Sequence, residues 1–189
     1  MRAGLQHSRS NDKANHSMTR IIGIDPGSRR TGYGIVDIEA GRARYVTSGI
    51  IRLPEESLPE RLKIIFDGVT ELIGQYHPQQ MGIEEVFLAR NASSALKLGQ
   101  ARGAAIVAGV NAGLTLGEYS ARSVKQAVVG TGAADKTQVQ MMIVQLLKLS
   151  EAPAEDAADA LAVALCHAQS TRSYSVMAGA SGYARGRHK

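Results

Sequence analysis

The sequence predicts a single mixed-sheet α/β domain. Short apolar, strand-like runs come first, helical periodicities then alternate with further strands, and the composition is that of an ordinary globular chain. With 189 residues, 44% of them hydrophobic, the chain is long enough to bury a proper core.

The elements follow in order. Arg20 to Asp25 (RIIGID) is a short strand stopped by Pro26-Gly27. Thr31 to Ile38 resumes an extended pattern after a glycine-rich turn and Ala43 to Leu53 supplies a third strand, so the opening is an antiparallel meander. Leu58, Leu62, Ile65, Phe66, Val69, Leu72, Ile73 and Tyr76 recur at spacings of three and four, which marks one face of a helix ending before Pro78. Gln80 to Phe87 is a fourth strand. Asn91 to Ala112, rich in Ala, Leu and Gly, suits a helix packed closely over a sheet. Leu114 to Tyr119 reads as a short fifth strand, Ser123 to Val129 as a helical turn and Thr137 to Leu149 as a helix. A last helix runs from about Pro153 to His167.

The ends read differently. Residues 1–17 are polar and aperiodic, and are expected to be a disordered leader outside a folded domain of residues 18–169. Residues 170–189 are Ser, Gly, Ala and Arg without periodicity, and are expected to be a basic, disordered tail.

Composition excludes several classes of function. The single cysteine, Cys166, rules out a disulfide framework and a four-thiolate zinc site, and points to a reducing, cytoplasmic setting. No apolar run approaches the roughly 20 residues that span a bilayer, so no membrane role is expected. The formal charge of +5 suggests a polyanionic partner, but its location matters more than its size. Residues 1–17 and 171–189 hold much of the excess. Within the body, residues 86–150 carry seven basic side chains against two acidic ones, while residues 151–170 carry four acidic and no basic ones. A basic middle therefore adjoins an acidic segment.

The acids are the informative residues. Asp25 closes a strand where the chain turns; Asp before Pro-Gly is also ordinary turn chemistry. Glu84 and Glu85 are adjacent on a strand and point to opposite faces, and alternation alone does not say which faces solvent. Asp156 and Asp159 are three apart, hence neighbours on one helical face. In the opening turn Asp156 also complements the helix dipole. Asp159 is the only charged residue between Ala157 and Ala168, on a helix apolar nearly all round, and a buried carboxylate needs a partner. No lysine or arginine within 151–170 supplies one. A divalent cation shared by several carboxylates would, and oxygen ligands suit Mg²⁺ or Mn²⁺ better than zinc.

These residues resemble a known family. Gly23-Ile24-Asp25-Pro26-Gly27-Ser28-Arg29, followed by Thr31-Gly32-Tyr33-Gly34, is similar to the opening strand and turn of the RuvC family of Holliday-junction resolvases. The likeness continues through Ile83-Glu84-Glu85-Val86-Phe87, Asn91-Ala92, Ser94 to Gly103 (SALKLGQARG), Val124-Lys125-Gln126 and Asp156-Ala157-Ala158-Asp159-Ala160-Leu161, covering about Met18 to His167 in order.

The resemblance implies a ribonuclease H-like fold with a mixed five-stranded sheet, in which the first strand, the fourth strand and the last helix bring acids to one site. It implies that Asp25, Glu84, Asp156 and Asp159 bind metal, choosing Glu84 over Glu85, and that Asp156 is the least certain ligand because the family tolerates histidine there. It places the essential bases Lys125 and Lys136 beside the site and Phe87 against junction bases, although an aromatic at a strand end is ordinarily core. Arg90, Lys97 and Arg102 are candidate phosphate contacts that a solvated helix face explains equally well.

The activity it implies is metal-dependent resolution of four-way DNA junctions in recombination and repair. A homodimer makes paired symmetrical nicks, leaving 5′-phosphate and 3′-hydroxyl ends. Two Mg²⁺ ions per subunit about 4 Å apart, replaceable by Mn²⁺, would bridge the scissile phosphate, and the implied partners are the RuvA and RuvB branch-migration proteins. Two rival readings are a YqgF-like nuclease of the same fold acting on structured RNA and a non-catalytic junction-binding module. The Ser94 to Gly103 run and the Lys125 region fit the resolvase better than the first, and the intact acid set argues against the second. Cys166 reads as a small buried hydrophobe, and His167 as a helix-terminal imidazolium with no catalytic part.

Overall fold

The apolar runs assemble into one five-stranded sheet in the order β3-β2-β1-β4-β5. The structure is a computed structural model describing residues 18–55, 57–86 and 92–180, with side chains described through Thr171. Strands β1 (Thr19–Asp25), β2 (Arg30–Glu39) and β3 (Arg42–Arg52) form the expected antiparallel meander, with a register shift at Ile35/Val36. Strands β4 (Gln80–Glu84) and β5 (Thr115–Tyr119) add to the other side of β1 in parallel, so the C-terminal ends of β1, β4 and β5 lie together. In open α/β sheets that end is where ligands bind.

Helices cover both faces. On one lie α1 (Leu58–Tyr76) and α2 (Ala92–Asn111), closing a core of Ile22, Ile24, Ile35, Ile65, Val69, Met81, Ile83, Ala101, Ala105 and Ala108. On the other lie α3 (Ala121–Val129), α4 (Lys136–Leu147) and α5 (Glu155–Ala180), around Val36, Val124, Val128, Ile143 and Leu161 to Leu165. Helix boundaries carry their own chemistry. The backbone N–H of Ser57 donates to Glu60 at the start of α1, which stops at His77 in a left-handed conformation ahead of Pro78. The Ser120 hydroxyl accepts from the Ser123 N–H, and Asp135 and Gln138 cap each other at α4. These caps start α3 and α4 earlier than periodicity suggests, and α3 is a full helix rather than a turn.

A row of glycines determines how close α5 comes. Gly34, Gly23, Gly82 and Gly117 are consecutive cross-strand partners on β2, β1, β4 and β5. A Cβ on Gly23 would sit 2.1 Å from the Ala160 carbonyl oxygen, and one on Gly34 2.7 Å from the Leu161 nitrogen. The helix thus lies backbone-to-backbone across the sheet, with Ala157, Ala158, Ala160 to Ala164 and Cys166 buried beneath and around it.

Two boundaries differ from the sequence reading by more than a residue or two. Strand β4 ends at Glu84, three residues short of Phe87, because β1 beside it ends at Asp25 and Pro26 offers no N–H to carry the ladder on. Helix α5 does not stop near His167 but continues to Ala180: Ser170 to Ala178 contains neither glycine nor proline, and loss of apolar periodicity is not by itself a stop signal. Residues 1–17 and 181–189 lie outside the described residues. No described helix is long and apolar enough to cross a membrane.

Candidate active site

The strand ends and the start of α5 bring the acids together. Ile24 pairs with Ile83, so one further register step sets Asp25 beside Glu84 at the ends of parallel strands. Each lies two residues beyond a glycine of the row, Gly23 or Gly82, and therefore on the face that α5 covers. A Cβ on Gly32, the partner of Asp25, would come within 1.9 Å of the Asp156 carbonyl oxygen, which places the first turn of α5 directly over this corner. Glu85 faces the other way and is exposed.

Electrostatics confirm that the carboxylates feel one another. Burial, then repulsion from Glu84, Asp159 and Asp156, carries Asp25 up to about 7, against some help from Lys136. Burial and Asp159 push Glu84 to about 7 as well, with Lys136 and Lys125 pulling it down. Asp159 is raised chiefly by burial. Lys136, the first residue of α4, contacts Glu155 through Nζ and lies 3.6 Å from Asp159 Oδ2; the Glu155 contact holds its ammonium above the ordinary value. Lys125, half-buried on α3, acts on Glu84 from the side. Asp156 is paired instead with Arg30, Nε to Oδ2 at 3.4 Å.

Four carboxylates of which three are lifted above their ordinary range form a donor set suited to hard divalent cations. The all-oxygen chemistry fits; among the described residues, no three His, Cys, Asp or Glu side chains are drawn tightly enough to enclose an ion in this arrangement.

Other candidates fall elsewhere. Lys97 is exposed on α2, on the opposite layer from α5. The Arg102 guanidinium is spent on protein: Nε donates to the Glu84 carbonyl at 3.1 Å, and its NH2 group meets Glu118. Phe87 and Arg90 lie outside the described residues. His167 is corrected. It is interior to α5 and 1% exposed, and burial lowers its pKa, so it is a neutral ring rather than a terminal imidazolium. Gln80 Oε1 can only accept, so His167 Nε2 donates to it and Nδ1 accepts from the Tyr119 hydroxyl, both at 2.9 Å.

Sequence reasoning missed Arg30, Glu155 and Tyr119. Arg30 had no helical spacing to flag it, and Glu155 was visible only as one of four acids in its segment. The Glu84/Glu85 ambiguity had a usable signal in Gly82, since a glycine two residues before an acid marks the face a helix presses on.

The comparisons with known proteins agree with this arrangement. The family described as "Crossover junction endodeoxyribonuclease RuvC" matches residues 21–167. The enzyme of that name from Teredinibacter turnerae is 62% identical over 175 residues, spanning 90% of this chain and 99% of the relative. The Thermus thermophilus RuvC structure superposes with a TM-score of 0.75 at 37% identity, covering 82% of this chain and 97% of the other. The same protein in complex with Holliday junction substrate gives a TM-score of 0.77 at 37% identity, covering 82% and 96%. The mixed sheet, with its first three strands antiparallel, is the ribonuclease H-like fold of those neighbours. With 147 residues matched end to end and the acids on the expected strands and helix, this chain belongs to the RuvC family of crossover junction endodeoxyribonucleases.

Proposed function

We propose that this protein resolves four-way DNA junctions by metal-dependent hydrolysis of phosphodiester bonds. The observation that carries the reading is the meeting of Asp25, Glu84 and Asp159 at the common end of β1, β4 and α5, with two lysines at the rim. The family's nuclease chemistry depends on a divalent metal; here we assign Mg²⁺, or Mn²⁺ in its place, and two ions per subunit.

Asp25, Glu84 and Asp159 would hold the metal, with Asp156 joining once its carboxylate leaves Arg30. When bound, the metal supplies Lewis-acid stabilisation of the phosphate and an ionised water at neutral pH. The chain's own residues do the rest. The rigid ends of β1 and β4 hold the acids in place, α5 excludes water from their inner side, and Lys136 and Lys125 put positive charge where the phosphate gains negative charge. The products are symmetrical nicks with 5′-phosphate and 3′-hydroxyl ends.

A second copy of the chain aligns two such sites. Leu96, Val107 and Val110 are exposed along α2, with open space around Gly99 and Gly103 on the same helix, as a helix-to-helix contact requires. Phe87 is assigned to junction bases, Arg90 and Lys97 to phosphates, RuvA and RuvB to partnership, and the whole to the cytoplasm.

The test is direct. A labelled mobile four-way junction incubated with the protein and Mg²⁺ is expected to yield symmetrical nicks. Asp25→Asn is expected to bind the junction without cutting it, and retained nicking by that variant would overturn the assignment.

A further inference from the structure

The end of β4 contains an unsatisfied position in its ladder. Just past the end of β4 the Glu85 N–H donates to the Tyr119 carbonyl on β5, and just before its start the Gln79 carbonyl accepts from Thr115 on β5 while the Gln79 N–H turns to Arg20 on β1; the bond at Glu85 sets the odd-numbered residues at this end of the strand toward β5. Even-numbered residues therefore address β1. With Gly82 opposite Gly23, the carbonyl of Glu84 is aimed at the backbone nitrogen of residue 26. That residue is Pro26, which has no N–H. A half-buried carbonyl with no donor at the end of a strand leaves the strand tip, and the side chain it carries, loosely held.

Arg102 fills that position. Its Nε donates to the Glu84 carbonyl at 3.1 Å, while its NH2 group is held by Glu118 on β5. Arg102 is largely buried and Glu118 half-exposed, on the α1/α2 side of the sheet, the face opposite the carboxylates. The guanidinium spans two strands from a third element, and its planar fork serves both contacts at once, which a lysine cannot do. Resting on the active-site reading above, we propose that Arg102, oriented by Glu118, is a positioning residue: it replaces the donor that Pro26 removes and so fixes Glu84 for metal binding. The same arginine on an exposed helix face would otherwise be read as a phosphate contact.

The two roles predict opposite signs at Glu118. If Arg102 binds DNA phosphate, removing the acid beside it frees the cation and tightens junction binding. If Arg102 positions Glu84, removing the acid loosens the clamp and slows cleavage. Arg102→Ala, Arg102→Lys and Glu118→Ala are compared in the full chain with a labelled four-way junction. Binding is measured in EDTA, and single-turnover cleavage at saturating junction is measured across a Mg²⁺ titration.

Arg102→Ala and Glu118→Ala are expected to slow cleavage in the same direction. Loss of a residue supporting a metal ligand costs roughly 10–100-fold. The Mg²⁺ needed for half-maximal rate should rise, with binding in EDTA unchanged, and Arg102→Lys should not rescue. Unaltered or faster cleavage by Glu118→Ala, or full rescue by lysine, would overturn the proposal. Glu118 is exposed enough that its variant decides the matter if Arg102→Ala does not fold. Failure of the unmodified protein to nick the junction would instead defeat the active-site reading itself.

Discussion

Asp25 and Glu84 end neighbouring parallel strands on one face of the sheet, one register step past the Ile24–Ile83 pair, and both carboxyls are lifted to about 7. Burial is the main cause for each, followed for Asp25 by Glu84 itself and for Glu84 by Asp159. An acid whose folded pKa is raised contributes stability that is fully present below its unfolded value and is lost as pH rises through the folded value. The window here runs from the ordinary 3.8 and 4.5 up to about 7. The metal-free protein should therefore melt at progressively lower temperature as pH climbs through that window. Mg²⁺ should restore what is lost, because metal binding needs the deprotonated carboxylates. Cleavage should rise over the same interval, the opposite sign to metal-free stability. Thermal melts with EDTA or Mg²⁺ across this range check both; a flat metal-free profile would contradict the coupling. Asp25→Asn removes one of the charges, so it should abolish cleavage and yet melt higher than the parent in EDTA above pH 7.

Lys136 reaches the site from α4 and lies 3.6 Å from Asp159 while contacting Glu155. It lowers the pKa of Asp25, Glu84 and Asp159 alike. Lys136→Ala should thus do two separable things. Loss of the cation near the phosphate should reduce the maximal cleavage rate by roughly 100-fold or more. The acid limb of the pH–rate profile should also move to higher pH, since all three acids lose a stabilising charge. Glu155→Gln, which removes the exposed partner of Lys136 and a weaker repulsion on Asp159 but keeps the cation, should leave the maximal rate far less affected. A pH–rate profile in Lys136→Ala that drops without shifting would remove Lys136 from contact with the acids.

The glycine row makes a stability prediction independent of catalysis. At Gly23 an added methyl would lie 2.1 Å from the Ala160 carbonyl and 2.6 Å from the Ala164 nitrogen, both backbone atoms that cannot rotate away. Gly23→Ala should cost at least the 1–3 kcal/mol typical of overpacking, about, and should lower cleavage because α5 carries Asp156 and Asp159. Gly74, inside α1 with nothing within 4 Å of its added Cβ, is the control. Gly74→Ala should stabilise by about 0.5–1 kcal/mol through helix propensity. Chemical denaturation of the two variants checks the contrast, and equal effects would mean that α5 has room to move away from the sheet.

Much of the fold was legible in the order of elements, because strand alternation and helical spacing are strong local signals. Leu58 to Tyr76 matches its helix to the residue, since Pro59, the apolar spacing and Pro78 all bear on the same boundaries. The end of β4 was not legible in Ile83 to Phe87 alone: it depends on Pro26, 58 residues earlier, in the neighbouring strand. The same distance effect hid the role of Arg102, which reads as a surface cation until the topology sets it under the tip of β4. His167 was misread because helix ends were inferred from fading periodicity, and α5 keeps its course without it. Asp159 was legible in advance for a physical reason: a lone carboxylate on an apolar helix must be answered from elsewhere, and Lys136 now answers it.

Helix α2 offers the remaining test, that of the proposed dimer. Leu96, Val107 and Val110 are 65%, 50% and 59% exposed, and they recur at helical spacing with Gly99 and Gly103 between them. Beta-branched and leucine side chains flanking small residues let a second helix approach closely, and a two-fold axis would set each stripe against its copy. A single charge there would be desolvated and repelled by its own symmetry mate. Val107→Glu should therefore shift the protein to a monomer in sedimentation equilibrium with little change in the melting temperature of the subunit, because Val107 is half-exposed and a glutamate there can keep its carboxylate in water. The monomer should retain Mg²⁺ binding, since Asp25, Glu84, Asp156 and Asp159 all come from one chain, but should lose the paired cut. Mapping nicks on a junction labelled in two strands separates these outcomes: single, unpaired nicks are expected, and continued symmetrical cleavage by a monomeric Val107→Glu protein would place the dimer contact elsewhere.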